Sequence, residues 1–171
     1  MPFSSAKRLR AGVVAVTLLA GCSNARSGPT AAPGFELKDL SGQTVTLESF
    51  RGHPVFLDFW ATWCGPCRMS IPMVQKFYQQ HKAEGLVVLG MNVDDDPHDV
   101  YAFVKHFGMT YPVLLAGNSA TQGDYQVEGI PNFVFIDQNG KIADHFEGFS
   151  MEMPAVWEAD LKTLLAQKKT Q

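Results

Sequence analysis

The sequence predicts an α/β fold: one mixed central sheet with helices on both faces. Three observations predict it. Strand-length apolar runs, at residues 55–60 and 86–93, alternate with stretches of helical periodicity, as in parallel strands covered on both sides. Hairpin signals flank this unit, Ser41-Gly42 near the start and Asn139-Gly140 near the end. A chain of 171 residues with 46% hydrophobic content is ordinary for one globular domain and long enough to bury a real core.

Taken in order, the chain opens with a segment that does not belong to that core. Lys7, Arg8 and Arg10 precede an apolar stretch at residues 11–20, too short to span a bilayer as a helix. It ends in Leu19-Ala-Gly-Cys22, which resembles the lipobox of bacterial lipoproteins. There, cleavage precedes the cysteine and its sulfur carries a diacylglycerol. An ordinary secretory signal and an uncleaved arm are the alternatives. The implied organisation is a signal at 1–21, a lipidated Cys22 with a flexible Ser-, Gly-, Pro- and Ala-rich linker to residue 34, and one domain at 35–168. The signal carries three basic residues and no acid, so its removal moves the formal charge from −3 to −6. An acidic mature surface argues against nucleic acid as a partner and against electrostatic docking on anionic lipid.

Residues 35–39 and 44–47 alternate apolar and polar across the Ser41-Gly42 turn, an N-terminal hairpin. Residues 55–60 form the first buried strand. A helix follows from Cys64 to about His81, with Met69, Met73, Val74, Phe77 and Tyr78 expected on its apolar side and a kink expected at Pro72. After the strand at 86–93 comes Asp94-Asp-Asp-Pro97. Asp96 as N-cap and Pro97 in the first turn of a helix to about Phe107 explain this run better than a metal site, since the spacing, Gly and Glu of a calcium loop are missing. A short strand at 111–115, a short helix at 119–125 and a hairpin of 132–137 with 141–147 follow. The closing helix, 153–167, directs Val156, Trp157, Leu161, Leu164 and Leu165 inward.

The chemistry concentrates at Cys64-Gly65-Pro66-Cys67, where the first buried strand gives way to the long helix. A sulfur at a helix N-terminus meets unpaired N–H groups and the positive end of the dipole, which favour the thiolate. Cys67, three residues on, lies on the same face and is more shielded. Cys64 is therefore the expected attacker, with Cys67 resolving the mixed disulfide it makes. Zinc would need two more ligands. No second Cys pair exists, and none of His53, His81, His98, His106 and His145 forms a pair at zinc spacing. A peroxidatic cysteine is disfavoured, because Ala61 and Leu57 stand where that pattern has Thr or Ser and Pro. Asp58 sits inside the apolar strand, where desolvation should raise its pKa.

The segment Asp58-Phe-Trp-Ala-Thr-Trp-Cys-Gly-Pro-Cys-Arg68 resembles the active site of thioredoxin. With Phe35-x-Leu-x-Asp-Leu-x-Gly, Leu47-x-x-Phe-x-Gly52 and Gly129-Ile-Pro-x-x-Phe-x-Ile-Asp-x-x-Gly140, the chain resembles the TlpA/ResA-type extracytoplasmic thiol-disulfide oxidoreductases over residues 35–165. The resemblance implies a thioredoxin fold with an αβ insertion at about 94–115. It implies Asp58 as proton relay for the resolving thiol, and a cis Pro131 against the sulfurs that leaves the Ile130 backbone free for an extended substrate. It also implies substrate contact by Trp63 and by the Gly65-Pro66 turn. The implied reaction is thiol-disulfide exchange, expected to need no organic cofactor or metal, and by the same resemblance Gly65-Pro66 leans towards reduction. The implied partners are protein disulfides, apocytochrome c among the compatible ones, a membrane electron donor of the DsbD/CcdA kind, and a membrane held through Cys22. A disulfide oxidase or isomerase, or a non-enzymatic copper chaperone, are the rival readings.

Overall fold

The computed structural model describes Met1, residues 30–94 and residues 96–167. The expected signal, Cys22, the first part of the linker and Asp95 lie outside the described residues.

The elements run β1 (Glu36–Asp39), β2 (Thr44–Thr46), β3 (Val55–Trp60), α1 (Gly65–His81), β4 (Val87–Asn92), α2 (Val100–Phe107), β5 (Val113–Leu115), α3 (Thr121–Asp124), β6 (Asn132–Ile136), β7 (Ile142–Glu147) and α4 (Met153–Ala166). The seven strands form one sheet in the order β2-β1-β5-β4-β3-β6-β7. β3, β4 and β5 are parallel, and the other pairings are antiparallel. The sheet is therefore mixed, as expected, and β5 of the αβ insertion slots between β4 and the N-terminal hairpin.

β3 is the axis of the core. All six of its residues are buried, because it is paired on both sides and covered on both faces. Its pleat sorts the helices by face. Phe56 packs on Phe77 of α1 and Trp157 of α4, and Trp60 stacks on Phe103 of α2. Phe59, pointing the other way, meets Tyr125 at the end of α3. Helices α1, α2 and α4 thus share one face and α3 covers the other. Asp58, between Phe56 and Trp60 in the alternation, points into the face that α1 covers.

Several expectations change. On α1 the buried stripe is Cys67, Ile71, Val74 and Phe77, a spacing of four and three that follows the helical repeat, while Met69 is 60% exposed. On α4, Trp157, Leu161 and Leu164 are buried by the same rule and Val156 faces out, 41% exposed. Helix α1 runs from Gly65 to His81 with Pro72 inside it, so the Arg68 carbonyl has no Pro72 N–H to accept. Asp96 does cap, through Oδ1 accepting from the His98 N–H at 2.9 Å, but what it caps is a 3-10 turn, Pro97–Asp99, that leads into α2. Residues 30–33, expected in the linker, are docked. Ala32 N–H donates to the Gly140 carbonyl, Ile142 N–H to the Thr30 carbonyl, and the Tyr125 hydroxyl to the Pro33 carbonyl.

Candidate active site

The buried strand β3 ends at Trp60, and the chain turns through Ala61, Thr62 and Trp63 before α1 begins. Two contacts hold that turn. The Asp94 carboxylate, buried at the end of β4, accepts from the Thr62 N–H (2.9 Å), the Thr62 hydroxyl (2.7 Å) and the Asn92 amide (2.6 Å). Arg68 donates to the Thr62 carbonyl at 2.8 Å. Cys64 is consequently fixed as the N-cap of α1.

Cys64 and Cys67 are joined in a disulfide, with Cα atoms 5.3 Å apart. The Cys64 sulfur accepts the Cys67 N–H at 3.1 Å, one of the donors a helix N-terminus leaves unpaired. The same interaction favours negative charge on Cys64 Sγ once the bond is reduced. Cys67 is fully buried and Cys64 is 4% exposed, while Trp63, Gly65 and Pro66 around them are open to solvent. The Ile130–Pro131 peptide bond is cis, and it brings the Ile130 carbonyl to 3.7 Å from Cys64 Sγ. A groove of about 480 Å³ runs from this point between Trp63, Val93, Gln122, Val127 and Ile130.

Asp58 is fully buried beneath α1, and burial pushes its pKa up to about 7, against the downward pull of one hydrogen bond. That bond comes from Tyr111, whose hydroxyl donates to Asp58 Oδ2 at 3.1 Å. Among the described residues, Oδ1 has no hydrogen-bond partner. No three His, Cys, Asp or Glu side chains among them converge into a cluster that could hold a metal ion.

The structure brings Cys64, Cys67, Ile130 and Pro131 together beside a groove that Trp63 and Ile130 line, and it buries Asp58 in the neighbouring strand. Cys22 lies outside the described residues. Sequence reasoning missed Tyr111 and Asp94. Tyr111 read as the start of a strand, and only the demand of a buried acid for a donor pointed to such a residue. Asp94 was hidden in an acidic run whose third member makes the cap.

A redox-active cysteine pair at a strand-to-helix junction, closed by a cis-proline loop, defines a thiol-disulfide oxidoreductase on the thioredoxin fold. Comparisons with known proteins agree. The Redoxin family matches residues 27–165, and the chain belongs to that family. It is 35% identical over 117 residues to the thiol-disulfide oxidoreductase ResA of Geobacillus kaustophilus (strain HTA426), covering 68% of this chain and 67% of that protein. With ResA of Bacillus subtilis (strain 168) the figures are 32% over 121 residues, 71% and 68%. The crystal structure of a Chlorobium tepidum protein assigned as thiol:disulfide interchange protein DsbE superposes with a TM-score of 0.77 at 33% identity, over 81% of this chain and 97% of that one. Within the thioredoxin superfamily the chain is of the ResA/TlpA type.

Proposed function

We propose that the protein reduces disulfides of extracytoplasmic proteins, with Cys64 as nucleophile, Cys67 as resolving thiol and Asp58 as the proton acceptor between them. The observation that carries this reading is the contrast between the two sulfurs. One caps a helix, accepts an N–H and lies 3.7 Å from the carbonyl of Ile130, which lines the groove, and the other is fully buried.

In the reduced protein the Cys64 thiolate attacks one sulfur of a substrate disulfide. A new Cys64–substrate disulfide forms, and the other substrate sulfur leaves as a thiolate. The Cys67 thiol then gives its proton to the Asp58 carboxylate, and the Cys67 thiolate attacks Cys64 Sγ. The second substrate sulfur is released, and the enzyme keeps the Cys64–Cys67 disulfide. Two electrons have passed to the substrate, and a dithiol donor must restore them. An electron transporter of the DsbD/CcdA kind fits that role. The Ile130 backbone and the faces of Trp63, Gly65 and Pro66 supply the extended surface on which a peptide lies beside the sulfur.

The proposed place is a membrane surface, through acyl chains on Cys22. Several chains on one residue bind stably at about 0.8 kcal/mol per buried CH₂, where one alone is marginal. Among the described residues no helix is long and apolar enough to cross a membrane. From Cys22 to the docked Thr30 the chain reaches at most about 28 Å, at about 3.5 Å per residue, which keeps the β6–β7 turn near the anchor, while the cysteine pair lies at the other end of β3. Equilibration with a dithiol buffer tests the direction of electron flow. A reductase should poise nearer thioredoxin, about −270 mV, than DsbA, about −120 mV, and a value above about −180 mV refutes the reducing role. Fractionation of wild type against Cys22→Ala tests the anchor, and equal recovery of both in the soluble fraction refutes it.

A further inference from the structure

We propose that Tyr111 is a positioning residue for the dithiol centre: its hydroxyl, brought in by the αβ insertion, orients the Asp58 carboxylate and stabilises its charged form while it takes the Cys67 proton. The proposal rests on the proton-acceptor reading of Asp58 given above.

The arrangement is built from four elements. Asp58 on β3 lies beside Gly90 on β4 in the parallel register, and Gly90 lies beside Val113 on β5. Because Gly90 has no side chain, the space next to the carboxyl stays open. A Cβ there would stand 3.0 Å from the Tyr111 ring and 3.0 Å from Trp60 Nε1. The Tyr111 ring occupies that space and presents its hydroxyl to Oδ2 at 3.1 Å.

Helix α1 fixes the ring from above. Tyr78 packs edge-on against it, with centroids 6.0 Å apart. Gln75 clamps the preceding residue, donating to the Thr110 hydroxyl and accepting the Thr110 N–H, both at 2.7 Å. Gln75 is two turns along the same helix from Cys67, so one rigid body carries the resolving thiol and holds the tyrosine in place.

The groups facing Asp58 leave the hydroxyl without a competitor. Phe133 stands opposite Asp58 on β6, and of the two carboxyl oxygens Oδ2 takes the Tyr111 hydroxyl while Oδ1 has no hydrogen-bond partner among the described residues. Burial and the Tyr111 hydrogen bond are the two influences on the carboxyl, and among the described residues no cation acts on it. A phenol in this position stays protonated, because burial and the nearby carboxylate drive its own pKa well above the usual value. It is a donor across the working range of pH. A hydrogen bond to a charged acceptor is worth more than one to a neutral group, so the tyrosine opposes the burial that would otherwise keep Asp58 protonated.

The test follows both halves of one turnover. Reduced protein is mixed with dithiobis(nitrobenzoate). Attack by Cys64 frees one coloured thionitrobenzoate, and resolution by Cys67 frees the second. The second rate is read against pH in wild type, Tyr111→Phe and Asp58→Asn. Tyr111→Phe should leave attack unchanged and keep the alkaline plateau of resolution. Its midpoint should move alkaline by about one pH unit, slowing resolution at pH 7 about fivefold. A lower plateau with an unmoved midpoint would mean that the ring only packs, and would overturn the proposal. Site-specific fluorotyrosine at position 111, a stronger donor of nearly the same shape, should move the midpoint the other way, and an alkaline or absent shift contradicts the idea independently of folding. Asp58→Asn separates the two claims. If it abolishes the pH step while Tyr111→Phe does not move it, the tyrosine proposal falls and the Asp58 reading stands. If the step survives in Asp58→Asn, both fall.

Discussion

Replacing Asp58 by Asn should make the oxidised protein more stable, and only above about pH 4. In the folded chain the carboxyl has a pKa of about 7, against the ordinary 3.8 that the unfolded chain shows. The native state therefore binds this proton more tightly. Below pH 3.8 the group is neutral in both states and costs nothing as a charge. Through the interval up to about 7 the cost accrues, and above it the buried charge is fully paid for by the fold. A gap of about 3 pH units at 1.36 kcal/mol each comes to about 4 kcal/mol. Asparagine has nearly the same shape and can still accept from Tyr111, so the variant escapes the charge while keeping the packing. Urea unfolding of both proteins at a series of pH values isolates the effect, because every other titrating group cancels in the difference. With an m-value of about 2 kcal/mol/M, the midpoints should coincide near pH 4 and separate by about 2 M at pH 8, the variant higher. Parallel curves from pH 4 to 8 would refute the reasoning, since Asp58 would then be ionised at no cost.

Two further outcomes follow from the same geometry. Cys64 in the reduced protein should react with iodoacetamide well below the unperturbed thiol pKa of about 8.5, and Cys67 should stay unreactive until much higher pH; matching reactivity of the two thiols by mass spectrometry would contradict the helix-cap assignment. Gly90→Ala should destabilise the fold by about 1–3 kcal/mol, because the new methyl meets the Tyr111 ring and the Trp60 indole at 3.0 Å. Unchanged thermal unfolding would show that this corner of the core has room to spare.

Much of this architecture was legible in the chain because its signals are local. The apolar run of β3, the Cys-x-x-Cys at its end and the Asn-Gly turn each declare themselves within ten residues. The Ile-Pro before β6 marked a special backbone by resemblance, and the bond is cis. The burial of Asp58 followed from its apolar neighbours. What the sequence hid depends on partners far along the chain. Tyr111 reaches Asp58 across 53 residues, through a space that exists only because Gly90 falls opposite it in the sheet register. Asp94 reaches back 32 residues to hold Thr62. Helix facing was misjudged at Met69 and Val156 for a related reason. Hydrophobicity named them as core, but the positions of Cys67 and Trp157 in the fold decide which side of each helix is inward. Residues 30–33 lacked any periodic pattern, yet backbone groups at 140 and 142 give them partners.

The central claim is that Cys64 attacks protein disulfides and Cys67 releases the product. Trapping tests it most directly. Reduced Cys67→Ser protein, mixed with a disulfide-bonded protein substrate, should accumulate a stable mixed disulfide that mass spectrometry maps to Cys64, and Cys64→Ser should accumulate none. A covalent complex through Cys67 in the Cys64→Ser protein, formed as fast as the Cys64 complex, would contradict the assignment.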